Sequence, residues 1–318
     1  MINFRMYAHD SVRRSRHPGR AALGSAACLI LSCCWLCLTL SLAGCKPQKT
    51  DSQGKPAEPA HTIEDKGSDT LVNLALAWAE LYMHLHPEVR ISVTGGGSGT
   101  GIASMINGTV SIANASREMK PEEVALAKAN GISPVEITVA RDAIAVVVHP
   151  SNPVDGLTVK QLSDVYTGKI TNWRDLGGED RPIVLLSRES NSGTYVYFLE
   201  NVVRMEDKKS TLLFSPDTLL MPSSEGISAE VRTNPNAIGY DGLGYVTHDQ
   251  KVVAVAHDSR SPYVLPSVAT VNDGSYPISR PLYMYTAGDP KGQVKAYVDW
   301  VLSDGQLLVA QLGFVPLK

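Results

Sequence analysis

The sequence predicts an α/β protein, and three observations carry that prediction. Apolar residues alternate along short runs and recur at helical spacing in the runs between them, so strands and helices follow one another along the chain. The composition, 43% hydrophobic and 19% charged, is that of a globular chain and excludes a disordered, collagen-like or nucleic-acid-coating protein. At roughly 150 residues per domain, 318 residues suffice for two domains with separate cores.

The elements follow in order. Leu71, Leu74, Ala75, Trp78, Leu81, Tyr82 and Leu85 recur at helical spacing, with Ser68, Asp69 and Thr70 as cap candidates ahead of them and Pro87 behind. Val89, Ile91 and Val93 alternate as in a strand. The run Thr94-Gly95-Gly96-Gly97-Ser98-Gly99-Thr100-Gly101 then turns into a short helix that Gly108 can end. Val110 to Ala115 reads as a strand, and Pro121 suits the first turn of a helix reaching Ala129. Strands are expected at Val135 to Val139, Ile144 to Val148 and Ile183 to Leu186, and helices at Thr194 to Val203 and Gln293 to Leu308. This alternation predicts α/β layers with mainly parallel sheets.

The N-terminal segment has the order of an export signal. Arg5, Arg13, Arg14, Arg16 and Arg20 precede an apolar run from Ala21 to about Leu42, the single stretch greasy enough to enter a bilayer. It ends in Leu42-Ala43-Gly44-Cys45, which resembles a lipoprotein lipobox with Cys45 as the lipidated residue. The alternative is an uncleaved anchor. Cleavage before Cys45 removes five arginines and Asp10, taking Lys+Arg against Asp+Glu from 29 and 32 to 24 and 31. Residues 46–62, with three prolines and no apolar periodicity, read as a solvated tether. All five cysteines lie at or before Cys45, so the folded part has no thiol for a disulfide or a metal.

Familiar glycine-rich signatures fail. A dinucleotide fingerprint needs a glycine where Thr100 stands, a Walker A loop needs a lysine where Ile102 stands, and a nucleophile elbow around Ser98 again meets Thr100. What remains is one device used three times. Gly67-Ser68-Asp69-Thr70, Gly97-Ser98-Gly99-Thr100 and Ser192-Gly193-Thr194 each deliver the chain into a predicted helix. Free N–H groups and the positive end of the helix dipole make such turns oxyanion sites, and glycine lets an anion approach the main chain. Taken singly, each Ser or Thr reads first as an ordinary helix cap. Arg188, four residues before Ser192, adds paired donors that a cap does not require.

These turns, together with Ala115-Ser116-Arg117, Tyr166-Thr167-Gly168-Lys169-Ile170-Thr171-Asn172-Trp173, Ser187-Arg188-Glu189 and Ile238-Gly239-Tyr240, resemble the phosphate-binding proteins of bacterial phosphate ABC importers. The matches keep the family's order from about Ile63 to Lys318. The resemblance implies a two-lobed type II periplasmic-binding-protein fold with two crossing segments, placed near Val139 to Asp142 and within Val252 to Pro266. The implied division is 1–44 signal peptide, 45–62 tether, 63–140 with 265–318 as lobe 1, and 141–264 as lobe 2. It implies a phosphate site between the lobes built from Ser68, Asp69, Thr70, Ser98, Ser116, Arg117, Arg188, Ser192, Gly193 and Thr194.

Two positions depart from the longer family members. They carry a carboxylate where this chain has Ser116, and a hydroxyl where it has Asp69, so the proton acceptor that separates hydrogen phosphate from sulfate is expected to have moved to Asp69. The competing reading makes Asp69 a helix cap. Arg117 can meet the anion, pair with a carboxylate such as Glu118, or hold the Ser116 turn.

The acidic surface does not oppose anion capture. Surface charges are screened beyond about 8 Å, whereas hydrogen bonds to a charged group contribute about 1.5 to 3 kcal/mol each. Micromolar affinity needs about 8 kcal/mol, which a few donors supply. A hydrolase would need a nucleophile with its base or a metal cluster, and His84 and His86 diverge at a helix end. The resemblance, with the lipobox, implies a monomeric phosphate-binding lipoprotein, not an enzyme, without cofactor or nucleic-acid partner. It faces the periplasm or cell surface, touches the membrane only through lipid and serves ABC importer permease subunits. A binder of sulfate or molybdate, and a phosphate sensor or adhesion protein, are the alternatives.

Overall fold

A computed structural model describes residues 62–317, and the export signal, Cys45 and residues 46–61 of the tether lie outside the described residues. The first lobe begins with β1 (Thr62–Gly67), α1 (Asp69–Leu85), β2 (Arg90–Thr94), α2 (Ser98–Ile106), β3 (Ile112–Ala115) and α3 (Pro121–Ala129). α1 forms because Leu71, Leu74, Ala75, Trp78 and Tyr82 fall on one buried face, and it ends before Pro87. β1 lies between β2 and β3, parallel to both, with Asp65 opposite Val93 and Ile112.

The lobes are joined by long antiparallel strands. β4 runs unbroken from Val135 to Val148, where two strands were expected. The intervening Arg141-Asp142 reads as an interruption, but Asp142 is fully buried against Arg280 and the extended backbone continues through it. The first half of β4 pairs with β10 (Ser279–Thr286), and the second half pairs with β8 (Ala237–Gly242) and β9 (Lys251–Ala256). All four pairings made by β4 and β10 are antiparallel, so the sheet is mixed where a mainly parallel one was expected.

The second lobe adds β5 (Gly156–Thr158), α4 (Val159–Tyr166), β6 (Val184–Arg188), α5 (Gly193–Phe198), β7 (Leu219–Met221), α6 (Ser224–Thr233) and α7 (Val268–Asn272). A π turn over Leu199–Val203 prolongs α5. The strand order is β2-β1-β3-β10-β4-β8-β6-β7, with β9 beside β4 and β5 beside β9. The expected second crossing within Val252 to Pro266 falls inside this lobe, because Val253, Val255, Val271, Tyr276 and Ile278 share one apolar cluster. The chain returns at Ile278 to Ser279, where Ile144 donates its N–H to the Ile278 carbonyl at 2.9 Å.

The return leads to α8 (Gly292–Val301) and α9 (Gln306–Gln311), two helices where one was expected over Gln293 to Leu308. The Trp78 indole donates to the Gly305 carbonyl in the break, at 2.7 Å, and pins both helices to α1. Trp78, Tyr297 and Phe314 anchor this face of the first lobe, and Ile102, Met105 and Tyr285 pack the opposite face. In the second lobe Phe198 stacks on Tyr240 at 3.6 Å between centroids, edge-on to Tyr166. Both cores are closely packed up to β1, β3 and β6, whose ends carry the polar turns. Among the described residues no helix is long and apolar enough to cross a membrane.

Candidate anion site

The three glycine-hydroxyl turns meet at the junction of the lobes. Ser68 stands just ahead of α1, but its hydroxyl caps nothing and instead donates to the Ser116 hydroxyl at 3.0 Å. The Ser98 hydroxyl accepts the Ser116 N–H at 3.0 Å and lies 3.3 Å from the Ser116 hydroxyl. Ser68, Ser98 and Ser116 are all buried. Gly67 makes the approach possible. Its φ is +146°, and a Cβ there would lie 2.1 Å from the Asn114 carbonyl oxygen of β3.

The second lobe delivers α5 to the same point. The Ser192 hydroxyl caps α5 by accepting the N–H groups of Thr194 and Tyr195 at 3.2 and 3.5 Å. A Cβ on Gly193 would lie 2.4 Å from the Ser98 hydroxyl and 2.5 Å from that of Ser116, so only glycine fits between them. The Thr194 hydroxyl meets the Thr70 hydroxyl across the junction at 2.8 Å. Asn191 links the lobes again, accepting the Gly99 N–H with its carbonyl at 3.0 Å and donating its amide to the Gly96 carbonyl at 2.9 Å.

Arg188, 1% exposed at the end of β6, donates to the Ser224 hydroxyl at 3.0 Å and to the Met221 and Pro222 carbonyls. Its Nη2 also reaches Asp69 Oδ2 at 2.6 Å. Asp69 accepts the Gly96 N–H at 2.8 Å with its other oxygen. The Asp69 side chain therefore holds the second turn and Arg188 instead of capping α1.

Arg117 is placed differently from the other nine expected residues. Both its Nη atoms donate to Glu123 at 2.7 Å, and Nη1 also donates to the Glu118 carbonyl at 2.8 Å. Burial raises the Glu123 carboxyl, but Arg117 and the Lys120 N–H outweigh it and hold the group below its ordinary range. Arg117 thus braces the start of α3, and its carboxylate partner is Glu123 and not Glu118.

The structure adds residues that motif reading missed. Arg280, 2% exposed on β10, donates to the Ser116 carbonyl, Thr70, Thr194 and Asp142. Burial pushes the Asp142 carboxyl up, and Arg280 opposes that rise. Beneath Arg188, Asp241 accepts the Ser224 hydroxyl and the Gly242 N–H, each at 2.8 Å. Burial raises its carboxyl to about 7 against the pull of Arg188. The available signal was a charged residue inside an otherwise apolar strand: Asp142 interrupts Val-Ala-Arg-Asp-Ala-Ile-Ala-Val and Arg280 precedes Pro-Leu-Tyr-Met-Tyr. Among the described residues no three His, Cys, Asp or Glu side chains cluster as a metal would need.

The ensemble can bind an acceptor-rich tetrahedral anion. It presents a planar cation, five buried hydroxyls from Ser68, Thr70, Ser98, Ser116 and Thr194, and the N-terminal ends of α1 and α2. Comparisons with known proteins point the same way. A PBP superfamily domain matches residues 53–305. The phosphate-binding protein PstS of Pseudomonas aeruginosa is 35% identical over 273 residues, covering 80% of this chain and 83% of its own length. PstS of Bacillus subtilis is 31% identical, with 86% of each chain covered. Among solved structures, a substrate-binding protein assigned to phosphate ABC transport in Clostridium perfringens, with bound phosphate, shares 33% identity at a TM-score of 0.72. That alignment covers 81% of this chain and 100% of the other. An ABC-type phosphate transport receptor from Vibrio cholerae shares 28% identity at a TM-score of 0.64, covering 80% and 100%.

Proposed function

Because the chain belongs to the bacterial phosphate-binding-protein family of the PBP superfamily, we propose that it captures inorganic phosphate between its lobes and hands it to an ABC importer. The observation that supports this most directly is the convergence of Ser68, Thr70, Ser98 and Ser116 from one lobe with Arg188, Gly193 and Thr194 from the other. Hydroxyls and amides from both sides would share one anion, so the ligand favours the arrangement in which the lobes meet by its differential affinity.

Asp69 and Arg188 divide the recognition of protonation state. Hydrogen phosphate offers acceptor oxygens to the Arg188 guanidinium and one O–H to the Asp69 carboxylate beside it. Sulfate at neutral pH has no proton and meets that carboxylate with lone pairs alone. No bond is broken in this scheme, and the protein acts as a carrier without turnover. Arg117, paired with Glu123, supports the Ser116 turn.

The same reading places the mature chain outside the cytoplasm on a lipid attached to Cys45, followed by the polar tether. Cys45→Ala should abolish lipid labelling and release the protein from the membrane fraction; continued labelling defeats the anchor. For the binding function, calorimetric titration of the desalted mature protein with phosphate, arsenate, sulfate and molybdate is the decisive measurement. One phosphate per chain with little heat from sulfate is expected. Preference for sulfate or molybdate would assign the cleft to another oxyanion.

A further inference from the structure

Arg280 occupies a position that neither lobe owns. It lies on β10 directly opposite Asp142 of β4, and these are the two strands that cross between the lobes. Its Nη2 donates to Asp142 Oδ2 at 3.0 Å, to Thr194 Oγ1 of the second lobe at 2.9 Å and to Thr70 Oγ1 of the first at 3.3 Å. Its Nη1 donates to the Ser116 carbonyl at 3.0 Å. The guanidinium carbon sits 5.6 Å from the centre of the Tyr197 ring, and both charged partners are almost fully buried.

The chemistry of this arrangement restricts what the threonines can do. Guanidinium is donor-only and remains charged at any pH the protein meets. Nη2 has two N–H groups for three acceptors, so one meets Asp142 and the other is shared by the two hydroxyls, each of which turns a lone pair and not its proton toward Arg280. One of the two protons is used in the Thr70 to Thr194 hydrogen bond at 2.8 Å. The other is left to be donated outward, to an acceptor between the lobes. Without Arg280 the hydrogen-bonded pair would keep three free lone pairs beside that one proton, and with it one lone pair is left, so the balance shifts toward donation.

We propose that Arg280 is a positioning and specificity-determining residue of the anion site: seated on the crossing strands and held by Asp142, it fixes the Thr70–Thr194 pair as a donor and aligns the two lobes where they meet. The inference rests on the phosphate reading above and deepens it. Arg280 acts through the two threonines, and its bond to the Ser116 carbonyl helps to seat it. A lysine cannot replace it, because a single ammonium cannot reach Nη1 and Nη2 acceptors in one plane.

A double-mutant cycle tests this in the mature protein, with phosphate as the probe. Arg280→Gln and Arg280→Lys should each weaken phosphate binding at least tenfold in calorimetry and reduce the phosphate-induced decrease in radius of gyration measured by X-ray scattering. In a Thr70→Val/Thr194→Val background, Arg280→Gln should change affinity less than threefold. Equal losses in both backgrounds would mean that Arg280 acts as a bulk charge or a fold brace, and would overturn the inference. Unchanged affinity in both Arg280 variants would overturn it too, whereas failure of the wild-type protein to bind phosphate would instead sink the phosphate reading. If loss of Arg280 prevents folding, the threonines carry the test: the double valine variant should bind at least tenfold more weakly than the double serine variant, and equal binding by the two overturns the claim.

Discussion

Asp69 of the first lobe and Arg188 of the second form an ion pair at 2.6 Å, with the arginine side chain 1% exposed and the aspartate 16%. The pair is the one direct charge contact between α1 and the end of β6, and it lies where the three polar turns converge. A buried cation with a carboxylate on one side still has its remaining surface to satisfy, and Ser224 with two carbonyls accounts for that here.

Removing the cation should therefore remove binding. Arg188→Ala leaves Asp69 without its charge partner and removes the cation beside which an oxyanion would bind. The expected loss of phosphate affinity is at least about 2 kcal/mol, or roughly thirtyfold. Ser98→Ala, which removes one neutral donor, should cost about 1 kcal/mol. Calorimetry on both variants checks the ranking, and wild-type affinity in Arg188→Ala would place the site elsewhere.

Gly193→Ala probes the approach of the lobes without touching a charge. The added methyl would collide with the Ser98 and Ser116 hydroxyls and press on the Ser116 backbone at 3.1 Å. Overpacking of this kind costs about 1 to 3 kcal/mol. The cost should appear as weaker phosphate binding and a smaller scattering change on adding phosphate. Melting temperature should move little, because each lobe keeps its own core.

Asp69→Asn separates charge from shape. The amide oxygen can still accept the Gly96 N–H, so the second turn stays in place. Phosphate should bind more weakly, and sulfate should gain on it by about tenfold, the scale of one hydrogen bond to a charged group. Competition between the two anions measures the ratio directly; an unchanged ratio would reduce Asp69 to a partner of Arg188.

Much of this arrangement was legible in the sequence, for reasons that particular residues make plain. The helical spacing of Leu71, Leu74, Trp78 and Tyr82 required a buried face, and the Gly-Ser turns required helix starts with free N–H groups. Strand pairing was not legible. β4 and β10 meet across more than 130 residues, and nothing local to Arg141-Asp142 or Ser279-Arg280 shows that they lie opposite each other. The Arg280–Asp142 pair was missed for that reason. The place of Tyr276 and Ile278 was hidden for the same reason, since they join the second-lobe core through partners far away in sequence, such as Val146 and Phe198.

A last prediction concerns stability. Asp65 lies on β1 beneath the first turn, 1% exposed, and neither carboxylate oxygen has a hydrogen-bond partner within 3.5 Å among the described residues. Burial raises its carboxyl from 3.8 to about 7, against a smaller lowering influence of Asn114. Because the folded pKa is raised, the folded state holds a proton that the unfolded chain has released between about pH 4 and 7, and stability falls as pH rises through that window. Above it the cost of a buried, unpaired carboxylate is constant. Asp241, also raised to about 7, adds a parallel slope of its own. Asp65→Asn removes only the first contribution. The variant should be more stable than wild type at pH 8 by at least about 1 kcal/mol, and the gain should shrink toward pH 5. Thermal melts at pH 5, 6.5 and 8 measure this. Parallel curves for the two proteins would show that Asp65 does not titrate in that range.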